Sequence, residues 1–186
     1  MQRKSLYLTA PHTLQWVEED LPELGWSDVL VKTVASAISI GSEIPQYTGT
    51  ARHSEPITYP RITGYENVGE VIALGKYVKD VEVGQRVVGF YGYRTHAILS
   101  SGEMSLITVP DDISTKAALL TILSCDVAKG IRKVNINPED RILVTGAGTI
   151  GLLTVAMLRA YGYLYVDVIE PDEGEERDQG CCKHTF

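Results

Sequence analysis

The hydrophobic rhythm of this chain changes once, near residue 112. Before that point the apolar positions come in short, partly alternating runs broken by Gly and Pro. Lys4–Thr9 and Thr13–Val17 are expected strands around a turn at Ala10-Pro11-His12. Asp28–Ser36, Asn67–Leu74, Gln85–Phe90 and Ser105–Val109 continue the style. Many short strands with Gly-rich turns predict a small barrel or sandwich. From Ser114 the run STKAALLTILSCDVAKGIRKV predicts helix, broken or continuous, with Ser114 as cap. A domain boundary is expected within residues 112–125. Beyond it, the strand-like run Ile142–Thr145 leads into a Gly-rich turn, an apolar helix and a second strand-like run ending at Glu170. The division drawn from this pattern is a β domain over 1–118, a βαβ segment over 119–172 and a disordered tail over 173–186. The tail, EGEERDQGCCKHTF, has no apolar period.

Composition narrows the function classes. A hydrophobic share of 44% is ordinary for a globular protein. A net charge of -7 argues against nucleic acid as a main partner and against a polybasic membrane surface. No apolar run reaches about 18 residues, so no membrane span is expected. MQRKSLYLTAP lacks the apolar core of a signal peptide. The cysteines Cys125, Cys181 and Cys182 form neither a disulfide framework nor a CxxC zinc pattern. A reducing cytoplasm is the expected compartment.

The chemistry concentrates in ILVTGAGTIGLLTVAMLRAYGYLYVDVIE, residues 142–170. Gly146 permits a tight turn off the strand, Gly148 lets backbone approach a pyrophosphate, and Gly151 lets helix and strand pack closely. Thr149 and Ile150 open the helix, whose first N–H groups face the phosphates. Glu170 lies nineteen residues after Gly151, close to where an acid meets the adenosine ribose. Its charge would repel a 2′-phosphate, which favours NAD over NADP. Asp172 is a candidate second ribose contact. The other reading is a structural Gly-rich turn in a different α/β unit. A complete dinucleotide fold needs two βαβαβ halves, and one βαβ unit fits here. The chain is therefore expected to be a truncated enzyme, marginally stable and inactive alone.

Several segments resemble the medium-chain dehydrogenase/reductase superfamily. Ile38-Ser39-Ile40-Gly41-Ser42-Glu43 is similar to the Ile-Cys-Gly-Ser-Asp segment of zinc alcohol and polyol dehydrogenases. Gly64-Tyr65-Glu66-Asn67-Val68-Gly69-Glu70-Val71 is similar to their Gly-His-Glu…Gly-x-Val segment, and residues 74–87 to their Gly-x-x-Val…Gly-Asp-Arg-Val hairpin. The resemblance implies an N-terminal GroES-like β barrel followed by the first βαβ unit of a Rossmann fold. It also locates the three positions that hold catalytic zinc in those enzymes. Here they are Ile40, Tyr65 and, by an ungapped count, Thr121. A catalytic zinc needs about three N, S or carboxylate ligands, and these positions keep none. The four-cysteine lobe is also missing from Phe90–Leu99. No metal site and no zinc are expected. Among zinc-free members, the chain resembles the bacteriochlorophyllide dehydrogenase-like group, with its Ile-Ser-x-Gly-[Ser/Thr]-Glu and Gly-Tyr-Glu-x-Val-Gly segments.

Without a metal, hydrogen-bond donors or an acid must polarise a ketone oxygen. Ser42, Tyr65 and Glu66 are the candidate catalytic residues. Ser42 sits at the proton-relay hydroxyl of the zinc enzymes, or is a turn serine. Tyr65 is either an acid or a filler of the space left by metal and imidazole. Glu66 is expected mainly to make a structural hydrogen bond or ion pair, and Glu43 to brace the backbone. Cys125 is expected to be a buried, inert thiol, and His96 a half-exposed strand histidine. Cys181 and Cys182 are poor partners for each other. The expected function is reversible alcohol–ketone oxidation with NAD(H) and a small-molecule alcohol or ketone, and a homodimer is allowed. The alternatives are a non-catalytic binding or assembly module and an NADPH quinone or enone reductase.

Overall fold

The computed structural model describes residues 1–51, 57–100 and 106–170. Contacts divide the chain between Leu120 and Thr121 into two compact units.

The first unit is built from antiparallel strands. β1 (Gln2–Ala10) and β2 (Thr13–Asp20) form a hairpin through the expected turn, where His12 takes φ 61°. β3 (Asp28–Ala37) follows, then a helix, α1 (Ile40–Thr48), and a two-residue strand, β4 (Arg61–Ile62). β5 (Glu66–Leu74), β6 (Arg86–Phe90), β7 (His96–Ser100) and β8 (Leu106–Thr108) complete the strands. One sheet has the order β2-β1-β4 and the other β7-β3-β5-β6-β8. The two adjoin through Leu6 N–H to Tyr93 O at 2.8 Å, Thr95 N–H to Lys4 O at 2.9 Å and a bridge between Ser5 and Arg94. β3 is bulged against β5 between Leu30 and Val31 and between Thr33 and Ala35, which bends the sheet. The small barrel or sandwich expected from the strand pattern takes the form of a curled antiparallel half-barrel. Inside it, Val29, Val31, Val71, Val81, Val87, Tyr91, Ala97 and Leu99 pack together. Each such aliphatic side chain contributes about 1.5–3 kcal/mol by leaving water. Tyr91 can sit in this core because its hydroxyl lies 3.0 Å from Thr33 Oγ1.

Helix α1 departs from the expected turn around Gly41. Pro45 inside it and Gly41 near its start both disfavour helix, so the segment reads locally as loop. Contacts from elsewhere in the fold stabilise it. Glu43 accepts from Ser39 N–H at 2.8 Å and from the Tyr93 hydroxyl at 2.8 Å, while Gly49 closes the end at φ 74°. β4 was not apparent in the sequence, because two residues carry no period.

α2 (Thr115–Leu119) ends the first unit, with Ser114 Oγ accepting from Ala117 N–H at 3.2 Å. The helix expected from Ser114 is thus broken, and α3 (Thr121–Arg132) opens the second unit. There β9 (Ile142–Thr145), α4 (Thr149–Ala160) and β10 (Val166–Ile169) form a βαβ unit, with β10 parallel to β9 in register Val166 to Ile142. Leu158 and Val166 are its buried anchors. The expected disordered tail, 173–186, lies outside the described residues.

Candidate functional site

The first cluster lies where β3, β5 and β6 end together. Ala37 pairs with Glu66, and Glu66 with Phe90. The chain leaving β3 passes through Ser39 into α1, and Tyr65 immediately precedes β5, so the sheet gathers these residues. Glu66 is only 2% exposed. Its Oε1 accepts a hydrogen bond from the Ser39 hydroxyl. Burial raises its carboxyl above the ordinary range and the neighbouring Glu43 adds to this, against hydrogen bonds from Ser39 and Tyr65 that favour the charged form. Asn67, fully buried beside it, is fastened by the Ser36 hydroxyl at 2.6 Å and donates to Tyr91 O.

The outer layer of this cluster is a hydroxyl pair. Ser42 Oγ and Tyr65 Oη lie 2.9 Å apart, with either able to donate. Ser42 is exposed and Tyr65 half-buried. The Tyr65 ring stacks on Phe90 at 5.3 Å between centroids and 27° between planes. Tyr65 therefore does more than fill space, because its hydroxyl end has a partner. Glu43 braces the N-terminus of α1, and the Tyr93 hydroxyl it holds also reaches Ala37 O at 2.7 Å. Ser39, Tyr93 and Phe90 were missed in the sequence. The four-residue spacing of Ser39 and Glu43 was a weak signal for the first, while nothing local marked Tyr93 or Phe90.

The second cluster is the glycine elbow between β9 and α4. Gly146 adopts φ 92°, a conformation L side chains rarely take. A Cβ on Gly151 would stand 1.9 Å from Gly146 O, so the helix seats directly on the turn. Gly148 differs from both. It has φ -70°, and no described atom lies within 4 Å of where its Cβ would be. Nothing in the described chain requires glycine there. Gly148 caps α4, and its side offers no cap hydrogen bond to Thr149, Ile150 and the other first-turn residues. Open space over first-turn N–H groups suits an anion. Glu170 Oε2 accepts from Ala147 N–H at 2.6 Å, and Ile169 O accepts from Gly146 N–H at 2.7 Å, which ties the end of β10 to the elbow.

The remaining candidates fall elsewhere. Cys125 is exposed, which corrects the expected burial: α3 buries Val127 and leaves the thiol outside. His96 on β7 is partly buried, and burial followed by the Lys32 charge lowers its pKa. Ile40 begins α1 as an exposed side chain without a donor atom, and Thr121 begins α3. Among the described residues no three His, Cys, Asp or Glu side chains are grouped to hold a metal ion. Asp172, Cys181 and Cys182 lie outside the described residues. No helix among them is long and apolar enough to cross a membrane.

Comparison with known proteins adds the following. Residues 25–110 match the family model of the alcohol dehydrogenase GroES-like domain. L-threonine 3-dehydrogenase of Vibrio parahaemolyticus is 27% identical over 202 residues, covering 93% of this chain and 58% of that protein. The chain thus spans 58% of that relative's length. Among solved structures, 2R,3R-butanediol dehydrogenase from Bacillus subtilis superposes with a TM-score of 0.76 at 19% identity, over 94% of this chain and 65% of that one. A short chain alcohol dehydrogenase from E. coli CFT073, solved with NADH, gives 0.76 at 23% identity, over 91% of this chain and 56% of that one. At these identities the structural likeness is one of fold.

Proposed function

Because the chain belongs to the medium-chain dehydrogenase/reductase superfamily, we propose that it serves as a zinc-free oxidoreductase of alcohols and ketones with NAD(H). The observation that carries this reading is the 2.9 Å pair of Ser42 and Tyr65 hydroxyls set over buried Glu66. In a site without metal, two hydroxyl donors hold and polarise a carbonyl oxygen, and one of them returns a proton to it. The reading without zinc rests on Ile40, whose side chain has no donor atom for a metal.

The glycine elbow supports the cofactor half. In this reading the βαβ unit is the first of a Rossmann fold, and Gly146, Gly148, Thr149, Ile150 and Gly151 surround the phosphates. Gly148, glycine without an internal reason, leaves room for a pyrophosphate against the start of α4. The carboxylate of Glu170 supports NAD over NADP. When bound, the nicotinamide supplies or accepts the hydride. The substrate is a small alcohol or ketone, and a reducing cytoplasm suits the free thiol of Cys125.

Calorimetry tests this directly. NAD is expected to give a saturable heat, weakened at least tenfold in Gly148→Ala with the fold retained, because that Cβ enters only the phosphate space. Ketone-dependent oxidation of NADH by the chain would establish the reaction. The alternative reading is a binding or assembly module. Such a module would give no heat with NAD even at millimolar cofactor.

A further inference from the structure

Glu66 is the one carboxylate among the described residues that the fold buries completely next to the hydroxyl pair. A structural carboxylate in such a place would be matched by a cation. None of its described partners is cationic: they are the hydroxyls of Ser39 and Tyr65 and, as a repelling neighbour, the carboxylate of Glu43. Tyr65 is shared, since its hydroxyl also meets Ser42 Oγ at 2.9 Å, and Ser42 is exposed. Tyr65, next to Glu66 in the chain, therefore stands between a buried carboxyl and an exposed hydroxyl. Resting on the oxidoreductase reading above, we propose that Glu66 is the proton store of this site, exchanging its proton through Tyr65 with Ser42 and with an oxygen bound there.

The proton balance is simple. In reduction, hydride adds to the carbonyl carbon and the C=O electron pair moves to oxygen. The oxygen takes a proton from Ser42 or Tyr65, Tyr65 regains it from the Glu66 carboxyl, and Glu66 is left as carboxylate until it is refilled from solvent. Oxidation runs the same line inward: the alcohol proton passes by Ser42 or Tyr65 to the Glu66 carboxylate, which later returns it to solvent. Glu66 suits the role because burial raises its pKa above the ordinary carboxylate range, and the neighbouring Glu43 carboxyl adds to the rise. The ionisable groups facing it are Glu43 on α1, Tyr65 before β5 and Tyr93 before β7. Tyr93 itself is held well above the ordinary tyrosine range, first by burial and then by Glu43, so it stays neutral. Ser39 is a positioning residue: its hydroxyl orients Glu66, and its carbonyl accepts from Ser42 N–H at 3.1 Å.

The test is a titration of the intact chain carrying labelled Glu carboxyl and Tyr ring carbons, followed by NMR. Glu66 is expected to titrate above the other carboxylates, and the Tyr65 ring carbon to move in the same step. Tyr65→Phe and Ser39→Ala each remove a bond that favours the ionised form, so each should shift the Glu66 midpoint upward. Glu66→Gln should abolish the shared step, and the two milder variants keep the test decisive if it does not fold. A Glu66 that is ionised with the ordinary carboxylates, or a Tyr65 signal blind to it, overturns the proton store. Absence of ketone-dependent NADH oxidation with the shared step intact would instead overturn the reductase reading and support the proton store.

Discussion

At the scale of single residues, two carboxylates behave oppositely because their surroundings differ. Glu19 accepts from the Tyr7 hydroxyl at 2.5 Å and from Arg3 Nε at 2.9 Å, and the bond from Tyr7 leads in lowering its pKa. Its folded value lies below its unfolded one, so its stabilisation is present above the unfolded range near ~4.3 and lost as pH falls through the folded value. Glu66 has a raised folded value. Its favourable contribution is full below the unfolded range and is lost as pH rises through the folded value. Urea unfolding across mildly acidic to neutral pH should therefore show a decline that Glu66→Gln lacks. A curve unchanged by that substitution would remove Glu66 as its source. The sequence identified Ser42, Tyr65 and Glu66 as candidates through their segments. It did not reveal the buried position of Glu66 or its bond to Ser39, because both depend on β3 and β5 meeting across a distance in the chain. At Gly151, a methyl group would stand 1.9 Å from Gly146 O. Gly151→Ala should destabilise the second unit by about 1–3 kcal/mol or more, read as loss of its helical signal on mild heating.

At the scale of elements, Arg86 on β6 locks the segment leading to α2. Its Nη2 donates to Pro110 O at 3.0 Å, Asp111 O at 3.2 Å and Ile113 O at 2.8 Å. Three carbonyls converge on Nη2 while Nη1 donates to Thr115 Oγ1 at 3.4 Å, a spread over two nitrogens that a single lysine ammonium does not cover. Arg86→Lys should lower thermal stability by about 1–3 kcal/mol, measured by denaturant unfolding. Most strands were legible because alternation, Val content and Gly or Pro punctuation agree over five residues or more. α1 was not legible. Its Pro45 and Gly41 argue against helix locally, and the stabilising groups, Glu43 and Tyr93, join it only in the folded barrel.

At the scale of the whole molecule, the βαβ unit presents apolar strand surface. β9 pairs only with β10 among the described residues, and Leu143 is 55% and Ile169 51% exposed. Open, apolar strand edges invite pairing with another chain. Sedimentation should show concentration-dependent self-association, reduced by Leu143→Lys without loss of the first unit. A strictly monomeric chain at high concentration would exclude that surface as sticky. The local order of the chain was determined by sequence alone. The two rhythms of hydrophobicity, the glycine spacing and the segments shared with the superfamily are all short-range signals carried by neighbouring residues. Tertiary structure decided which hydroxyls and carboxylates meet. Ser39, Ser42, Tyr65, Glu66 and Tyr93 come from three separate segments, and only strand pairing brings them together.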